Sequence, residues 1–369
     1  MIQNFRLLEA NRAFRGAKMD IVDLLRRAVE KHASDIFIVA GLPVSYRLNN
    51  KILSEENERL MPAETEQYLR QIYELADHRD MSHFLTHGDD DFSFAVVGLS
   101  RFRVNAYKQR GTLSAVVRVI TFELPNPEDI GIPSSIINFG NLSKGLVLVT
   151  GPAGSGKSTT LACIVDAINK HKKKHIITLE DPIEYLHTHG NSIVSQREIS
   201  IDTESYVTAL RASLRQSPDV ILLGEMRDYE TIGVAMTAAE TGHLVISTLH
   251  TIGAANAIDR IIDVFPANQQ RQITVQLSMV LQAIVSQQLI PDIDGNVIPV
   301  FEIVTITPAI RNMIRDNKIP QIDGIVYSAN KDDMISMDAS LVKLYQQGKI
   351  TKETAINYAT NQEMLKKRL

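Results

Sequence analysis

The chain has 369 residues and a mass of 41.1 kDa, which suggests two domains and excludes a single small module. Hydrophobic residues at 44% and charged residues at 22% supply real cores and exclude a wholly disordered chain. With 39 Lys and Arg against 43 Asp and Glu, the net charge of −4 excludes a chain built throughout as a polycation for nucleic-acid phosphates, and leaves open only a local basic groove.

The opening segment MIQNFRLLEANRAFRGAKMD has no apolar stretch of seven residues and does not read as a secretory signal. No run of eighteen apolar residues occurs anywhere, so membrane contact is expected through a partner rather than by insertion. The single cysteine, Cys163, allows no internal disulfide and no multi-cysteine zinc site, which fits a reducing compartment.

Residues 1–18 are an N-terminal extension. Ile21, Leu24, Leu25 and Val29 then recur on one helical face. Strand-like pieces follow at Asp35 to Val39 and Val44 to Leu48, then a polar helical stretch at 64–86. Asp91 to Val119 reads as several antiparallel strands punctuated by Gly98 and Gly111. Residues 19–124 thus form a small α+β domain, and the NPEDIGIP stretch marks a linker at 125–137. Beyond it, apolar runs at Leu146 to Thr150, His175 to Leu179, Val220 to Leu223 and Leu244 to Thr248 alternate with helical segments. This is the pattern of a mainly parallel, covered sheet, an α/β domain over 138–307. From 308 to 369 the pattern is helical.

The sharpest chemical signal is GPAGSGKST, comprising Gly151, Pro152, Ala153, Gly154, Ser155, Gly156, Lys157, Ser158 and Thr159, set between the strand LVLVT and a helical pattern. This is a complete P-loop: backbone N–H groups wrap phosphates, Lys157 reaches the β and γ oxygens, and the Ser158 hydroxyl ligates Mg²⁺. The expected ligands are ATP and Mg²⁺. TLEDPIE, Thr178 to Glu184, gathers three carboxylates at a strand's C-terminal edge. Glu180 could orient the attacking water, and Asp181 or Glu184 could hold the metal's waters or an arginine. Alternatively, Asp181 merely caps a following helix with Pro182 in its first turn. DVILLGE, ending at Glu225, has the general form of a Walker B strand whose glutamate reaches Mg²⁺ through water; Gly224 stands where an acidic residue is usual.

His243 and His250 bracket the strand LVISTL, at opposite ends and too far apart to share a metal. One could sense a γ-phosphate; the plainer reading is a core or interface histidine. Cys163, on the helix after the P-loop, reads as core filler. Arg101, Arg103, Arg110 and Arg118 are either solvated strand charges or fingers that stabilise nucleotide charge. KHKKKH, ending at His175, reads as a solvated helix end rather than a nucleic-acid patch.

With these motifs the chain resembles the type IV pilus retraction ATPases, the twitching-motility branch of the secretion ATPase superfamily, across nearly all of residues 19–369. The matching segments are ASD at 33–35, DFSF at 91–94, the P-loop, ITLEDPIE at 177–184, LLGEMRD at 222–228 and AETGHLVISTLHT at 239–251; AIRNMIRD at 309–316 resembles the retraction signature. Ile310, Met313 and Ile314 share one face of that segment, as an apolar surface or as ordinary packing. The resemblance implies a PAS-like N-terminal domain joined flexibly to a RecA-like P-loop ATPase domain, with C-terminal helices and nucleotide between the two domains. It implies catalytic Glu180 in an Asp box, Glu225 in Walker B, His243 and His250 in a His box, and Arg103 and Arg118 approaching nucleotide from the N-terminal domain. It also implies a cytoplasmic homohexamer at the inner face of the cell membrane. Such a ring would act on an inner-membrane pilus platform protein, alone or beside a second retraction ATPase, with no nucleic-acid partner. Pilus assembly and type II secretion ATPases share the fold but often carry a cysteine-rich module and a long N-terminal region, which this sequence lacks. A non-hydrolysing scaffold need not keep Glu180 and Glu225.

Overall fold

A computed structural model describes residues 20–48, 51–55, 58–120, 124–329, 331 and 333–369. The chain divides into two compact units, Met1–Phe122 and Glu123–Leu369. The expected extension at 1–18 lies outside the described residues.

In the first unit the helix Ile21–Glu30 begins where the Asp20 carboxylate accepts a hydrogen bond from Val22 N, and it buries Ile21, Leu24, Leu25 and Ala28. The stretch expected to be helical over 64–86 is two helices, Pro62–Leu75 and Ser82–His87. They are separated at Asp77 and His78, whose φ of 52° and 55° cannot continue a helix. Six strands, β1 Asp35–Ile38, β2 Ser45–Leu48, β3 Lys51–Ser54, β4 Asp89–Val96, β5 Ser100–Gln109 and β6 Thr112–Ile120, form one antiparallel sheet in the order β3-β2-β1-β6-β5-β4. Alternation along β5 sends Phe102, Val104 and Ala106 into the core with the helices, and Arg101, Arg103 and Asn105 to the opposite face.

The second unit starts earlier than the sequence suggested. The residues read as a linker, 125–137, are part of it: a turn closed by Ile132 N donating to Pro127 O (2.8 Å) leads into a short helix, Ser134–Ile137. Ile132, Ile136 and Phe139 are buried against the P-loop helix and its strand, and that burial holds the segment down.

All four strands expected in the α/β domain are present: β7 Gly145–Thr150, β8 His175–Glu180, β10 Val220–Leu223 and β11 Leu244–Leu249. Four more, β9 Ile193–Glu198, β12 Leu281–Pro291, β13 Val297–Thr305 and β14 Met334–Ile335, complete a sheet in the order β14-β13-β12-β7-β11-β10-β8-β9. From β12 through β9 every neighbouring pair is parallel, and β13 and β14 add antiparallel strands at one edge. The apolar runs are unbroken because both faces are covered: Leu146 and Leu148 pack into one core, Val147 and Val149 into the other.

From Pro308 onward the described residues include the helices Pro308–Arg315, Gln321–Ser328, Met337–Gln346, Lys352–Asn357 and Gln362–Lys366. The apolar trio of AIRNMIRD is interior packing, with Ile310 and Ile314 fully buried and Met313 against the same core. Arg311 of that helix donates to Ser278 O, to Met279 O (2.7 Å) and to Leu281 O, satisfying carbonyls at the end of the helix Ala267–Val280. Among the described residues no helix is long and apolar enough to cross a membrane.

Candidate functional site

Parallel strands end at a common edge, and β7, β8, β10 and β11 deliver the P-loop, Glu180, Gly224-Glu225 and His250 to that edge in turn. Between them lies an open cleft of about 430 Å³, lined by the P-loop, Glu180, Asp181, Glu184, Tyr206, Glu225, Arg227 and His250.

The P-loop turns out of β7 at Gly151, whose φ is +146° and where a Cβ would lie 2.2 Å from Gln287 O; only glycine fits. Lys157, buried at the start of the helix Lys157–His171, donates to Gly151 O (2.9 Å) and Pro152 O (2.8 Å). Burial depresses its pKa, opposed by the Glu225 and Glu184 charges. Ser155 Oγ is buried with no hydrogen-bond partner. A buried ammonium held only by carbonyl dipoles and an orphaned hydroxyl, both beside a helix N-terminus, fit a phosphate group. Ser158 Oγ donates to Glu184 Oε1 (2.7 Å), Thr159 shares a hydrogen bond with Tyr185 (2.9 Å), and Thr160 Oγ1 donates to Gln287 Oε1 (2.7 Å).

Glu180 accepts from Thr178 Oγ1 (2.6 Å) and Gln196 Nε2 (3.2 Å). Burial outweighs both bonds and, helped by the Glu184 and Glu198 charges, pushes its carboxyl up to about 7. A carboxylate at that value can take a proton from water near neutral pH. Glu225 is oriented instead: its Oε2 meets Arg227 Nε at 2.7 Å and His250 Nε2 at 3.3 Å. At Gly224 a Cβ would stand 2.8 Å from the Tyr206 hydroxyl, so an acidic side chain of the kind usual in a Walker B strand would have to displace that tyrosine. Burial, with the Glu225 charge next, pushes the Tyr206 phenol well above its ordinary pKa, which keeps it neutral. Thr248 Oγ1 donates to Gly224 O (2.6 Å) and ties β11 to this loop.

His243 sits at the other end of β11, its Nδ1 2.9 Å from Ala238 O, and does not line the cleft. Arg103 and Arg118 belong to the first unit, directly opposite each other across β5 and β6; Arg103 forms a two-pronged pair with Asp91 (3.0 and 2.7 Å), and Arg118 Nε meets Asp35 Oδ1 at 3.2 Å. No helix follows Asp181, so it caps none: the chain runs on to β9. Cys163 is buried, and burial pushes its thiol up to about 11, as befits core filler.

Sequence reasoning had missed Tyr206, Arg227, Gln196 and Gln287. Only Arg227 lay inside a recognised segment, LLGEMRD at 222–228, where it was given no role; the others come from segments with no chemical pattern of their own.

Residues 16–316 match the type II/IV secretion system protein family. The chain belongs to that family. It is 43% identical to the type IV pilus retraction ATPase PilT of Pseudomonas aeruginosa, over 91% of this chain and 97% of that one. It is 39% identical to the type IV pilus ATPase PilU of the same organism, over 92% and 89%. Among solved structures, the pilus retraction motor PilT with bound ADP superposes with a TM-score of 0.87 at 43% identity, covering 95% of this chain and all of that one. The ATPase DotB of Legionella pneumophila superposes at 0.72 with 26% identity, covering 90% and 94%.

Proposed function

We propose that this protein is an ATP-hydrolysing motor that powers type IV pilus retraction. The observation that carries the reading is an intact P-loop with two distinct glutamates across one cleft, in a chain similar to PilT along nearly its whole length. Two carboxylates facing the P-loop across that cleft, one of them raised to about 7 by burial, support hydrolysis over a scaffold that only binds nucleotide.

In this reading Lys157 leaves its two loop carbonyls for the β and γ oxygens of ATP, while Ser155 Oγ and the P-loop amides bind the phosphates. Glu180 accepts the proton of the attacking water. Glu225, held by Arg227 and His250, fixes that water's position. Mg²⁺ would be held by Ser158, with Glu225 reaching its waters, and would neutralise charge on the transferring phosphoryl group. His243 is assigned to the fold rather than to the chemistry.

The working assembly is a homohexamer, with Arg103 and Arg118 carried by the N-terminal domain toward bound nucleotide during turnover. Its setting is the cytoplasmic face of the cell membrane, its partner a pilus platform protein, with or without a second retraction ATPase. The test is steady-state phosphate release with native mass recorded on the same samples, beside Glu225→Gln. Turnover by a hexamer, lost in a variant that still assembles, supports the motor; rings that bind ATP with no more turnover than the variant would sink it. Deletion in a piliated cell should then give long, unretracted pili and no twitching.

A further inference from the structure

The strand beside the P-loop carries a polar residue that none of the cleft chemistry uses. In the parallel pairing of β12 with β7, Ser286 stands opposite Thr150, so Gln287 falls beside Gly151, where β7 gives way to the P-loop. Gln287 is 2% exposed, a depth at which a polar side chain is kept only when its groups are used. A Cβ on Gly151 would collide with its main-chain oxygen, and one on Gly156 would lie 2.9 Å from its Nε2. Its Oε1 accepts from Thr160 Oγ1 (2.7 Å). Thr160 is fully buried one turn beyond Gly156, and its hydroxyl bonds to Gln287 rather than back to a carbonyl of its own helix, the usual recourse of a helical threonine.

We propose that Gln287 is a positioning residue for phosphate binding: it clamps the two ends of the P-loop to β12 and so fixes the span within which the loop's amides meet the nucleotide. The assignment rests on the nucleotide-binding reading above. Gly151, Gly154 and Gly156 all take positive φ, and glycine backbone has the most freedom to lose on ordering. Amides that already point inward lose none of that freedom when an anion arrives, so a loop pinned at both ends binds more tightly than a loose one. Gln287 touches both ends, Gly151 with its main chain and Gly156 and Thr160 with its side chain. Between those ends lie the Pro152 carbonyl that holds Lys157 and the Ser155 hydroxyl that has no partner. Gln287 does not line the cleft that Glu180 and Glu225 share, so its part is in holding nucleotide and not in the chemical step.

The experiment measures affinity for N-methylanthraniloyl ADP by fluorescence, and kcat for ATP by phosphate release, on the full-length protein with Mg²⁺ in excess. Gln287→Met keeps the side chain's length and removes the amide; Thr160→Val keeps the shape and removes the hydroxyl. Each is expected to weaken binding about fivefold or more, the size expected for one net hydrogen bond. The kcat at saturating ATP should stay within about twofold, because a loop that grips phosphate alike in ground and transition states alters binding and not the step. The double variant should bind no worse than the poorer single one, since both remove the same bond, and Thr160→Ser, which keeps the hydroxyl, should bind as wild type does. If Gln287→Met does not fold, Thr160→Val beside Thr160→Ser still decides. Unchanged affinity with a lowered melting temperature would show that the bond serves the fold alone and overturns the proposal, as do losses that add in the double variant or a kcat that falls as far as the affinity. Binding is read without turnover, so wild type that binds nucleotide but hydrolyses none sinks the motor alone, and the affinities still decide this proposal; wild type that binds no nucleotide removes both.

Discussion

The two ends of the parallel sheet carry the same residue types and do opposite things with them. At the N-terminal ends of the strands, Asp219 accepts from Lys174 Nζ (2.8 Å) and His175 N (2.9 Å), His175 Nε2 meets Ser195 Oγ (3.0 Å), and His243 is bonded to a helix end. Although burial alone would raise it, those bonds hold the Asp219 carboxyl below its ordinary value. At the C-terminal ends, Lys157 has only carbonyls, Ser155 Oγ has no partner, and Glu180 is held up near 7. One edge has satisfied its polar groups internally; at the other, Ser155 Oγ is left without a partner and Lys157 is held by carbonyl dipoles alone, which leaves both for a ligand. What separates them is the strand direction, because loops at the C-terminal edge splay apart and leave a crevice.

The difference should break hardest at the lysines. Lys157→Ala is expected to lower steady-state ATP turnover about a hundredfold or more, since it removes a fixed charge aimed at the phosphates. Lys174→Ala, losing a half-exposed pair at the other edge, should stay within about twofold, with only a small change in melting temperature. Comparable losses from both would mean that the edges are not chemically distinct.

A second break concerns the Walker B loop. Gly224→Ala pushes a methyl into the Tyr206 hydroxyl and is expected to lower turnover about tenfold to a hundredfold by displacing Glu225. Adding Tyr206→Phe removes the atom in the way and should restore part of that loss. If the double variant is no better than Gly224→Ala alone, the contact does not set the loop's position.

Much of the C-terminal edge was legible from sequence because its elements carry their own chemistry: a glycine pattern that wraps phosphate, and strands that end in carboxylates. The four central strands could be read because burial on both faces makes them continuously apolar. β9 and β12 were hidden by polar runs, SQRE and SQQ, whose side chains are used inside the fold: Gln196 on Glu180, Gln287 on Thr160, Ser286 on Thr150. Such roles depend on which strand lies alongside, which no local pattern records. The KHKKKH run is a largely exposed end, as its charge suggests, yet three of its lysines also have partners that no local pattern records: Lys170 pairs with Asp166, Lys172 donates to Gly140 O and Lys174 pairs with Asp219.

Glu180 offers a comparison by pH. If it is the base, turnover should fall about tenfold per unit below about 7 as the carboxyl takes up a proton, and Glu180→Gln should lose that limb together with most activity. Stability moves in the opposite sense. A carboxyl whose folded pKa lies above its unfolded value favours the fold at low pH and gives up that contribution as pH rises through about 7. Glu180→Gln should therefore melt higher than wild type at pH 8, with the gap shrinking toward pH 5. A gap that stayed constant across that range would show that the carboxylate is not held unfavourably in its site.

The smallest effect belongs to the histidines. His250 touches Glu225 in the cleft, and His250→Ala should cut turnover about tenfold while leaving the melting temperature nearly unchanged. His243 is bonded to Ala238 O at the end of the helix Tyr229–Glu240, where an imidazole interacts favourably with the last carbonyls. His243→Ala should cost about 0.5–1 kcal/mol of stability, the size of one net hydrogen bond, with turnover per folded protein within about twofold. Thermal melts and phosphate release on both variants decide the matter: loss of turnover at unchanged stability in His243→Ala would bring that residue back into the reaction, and with it the opposite edge of the sheet.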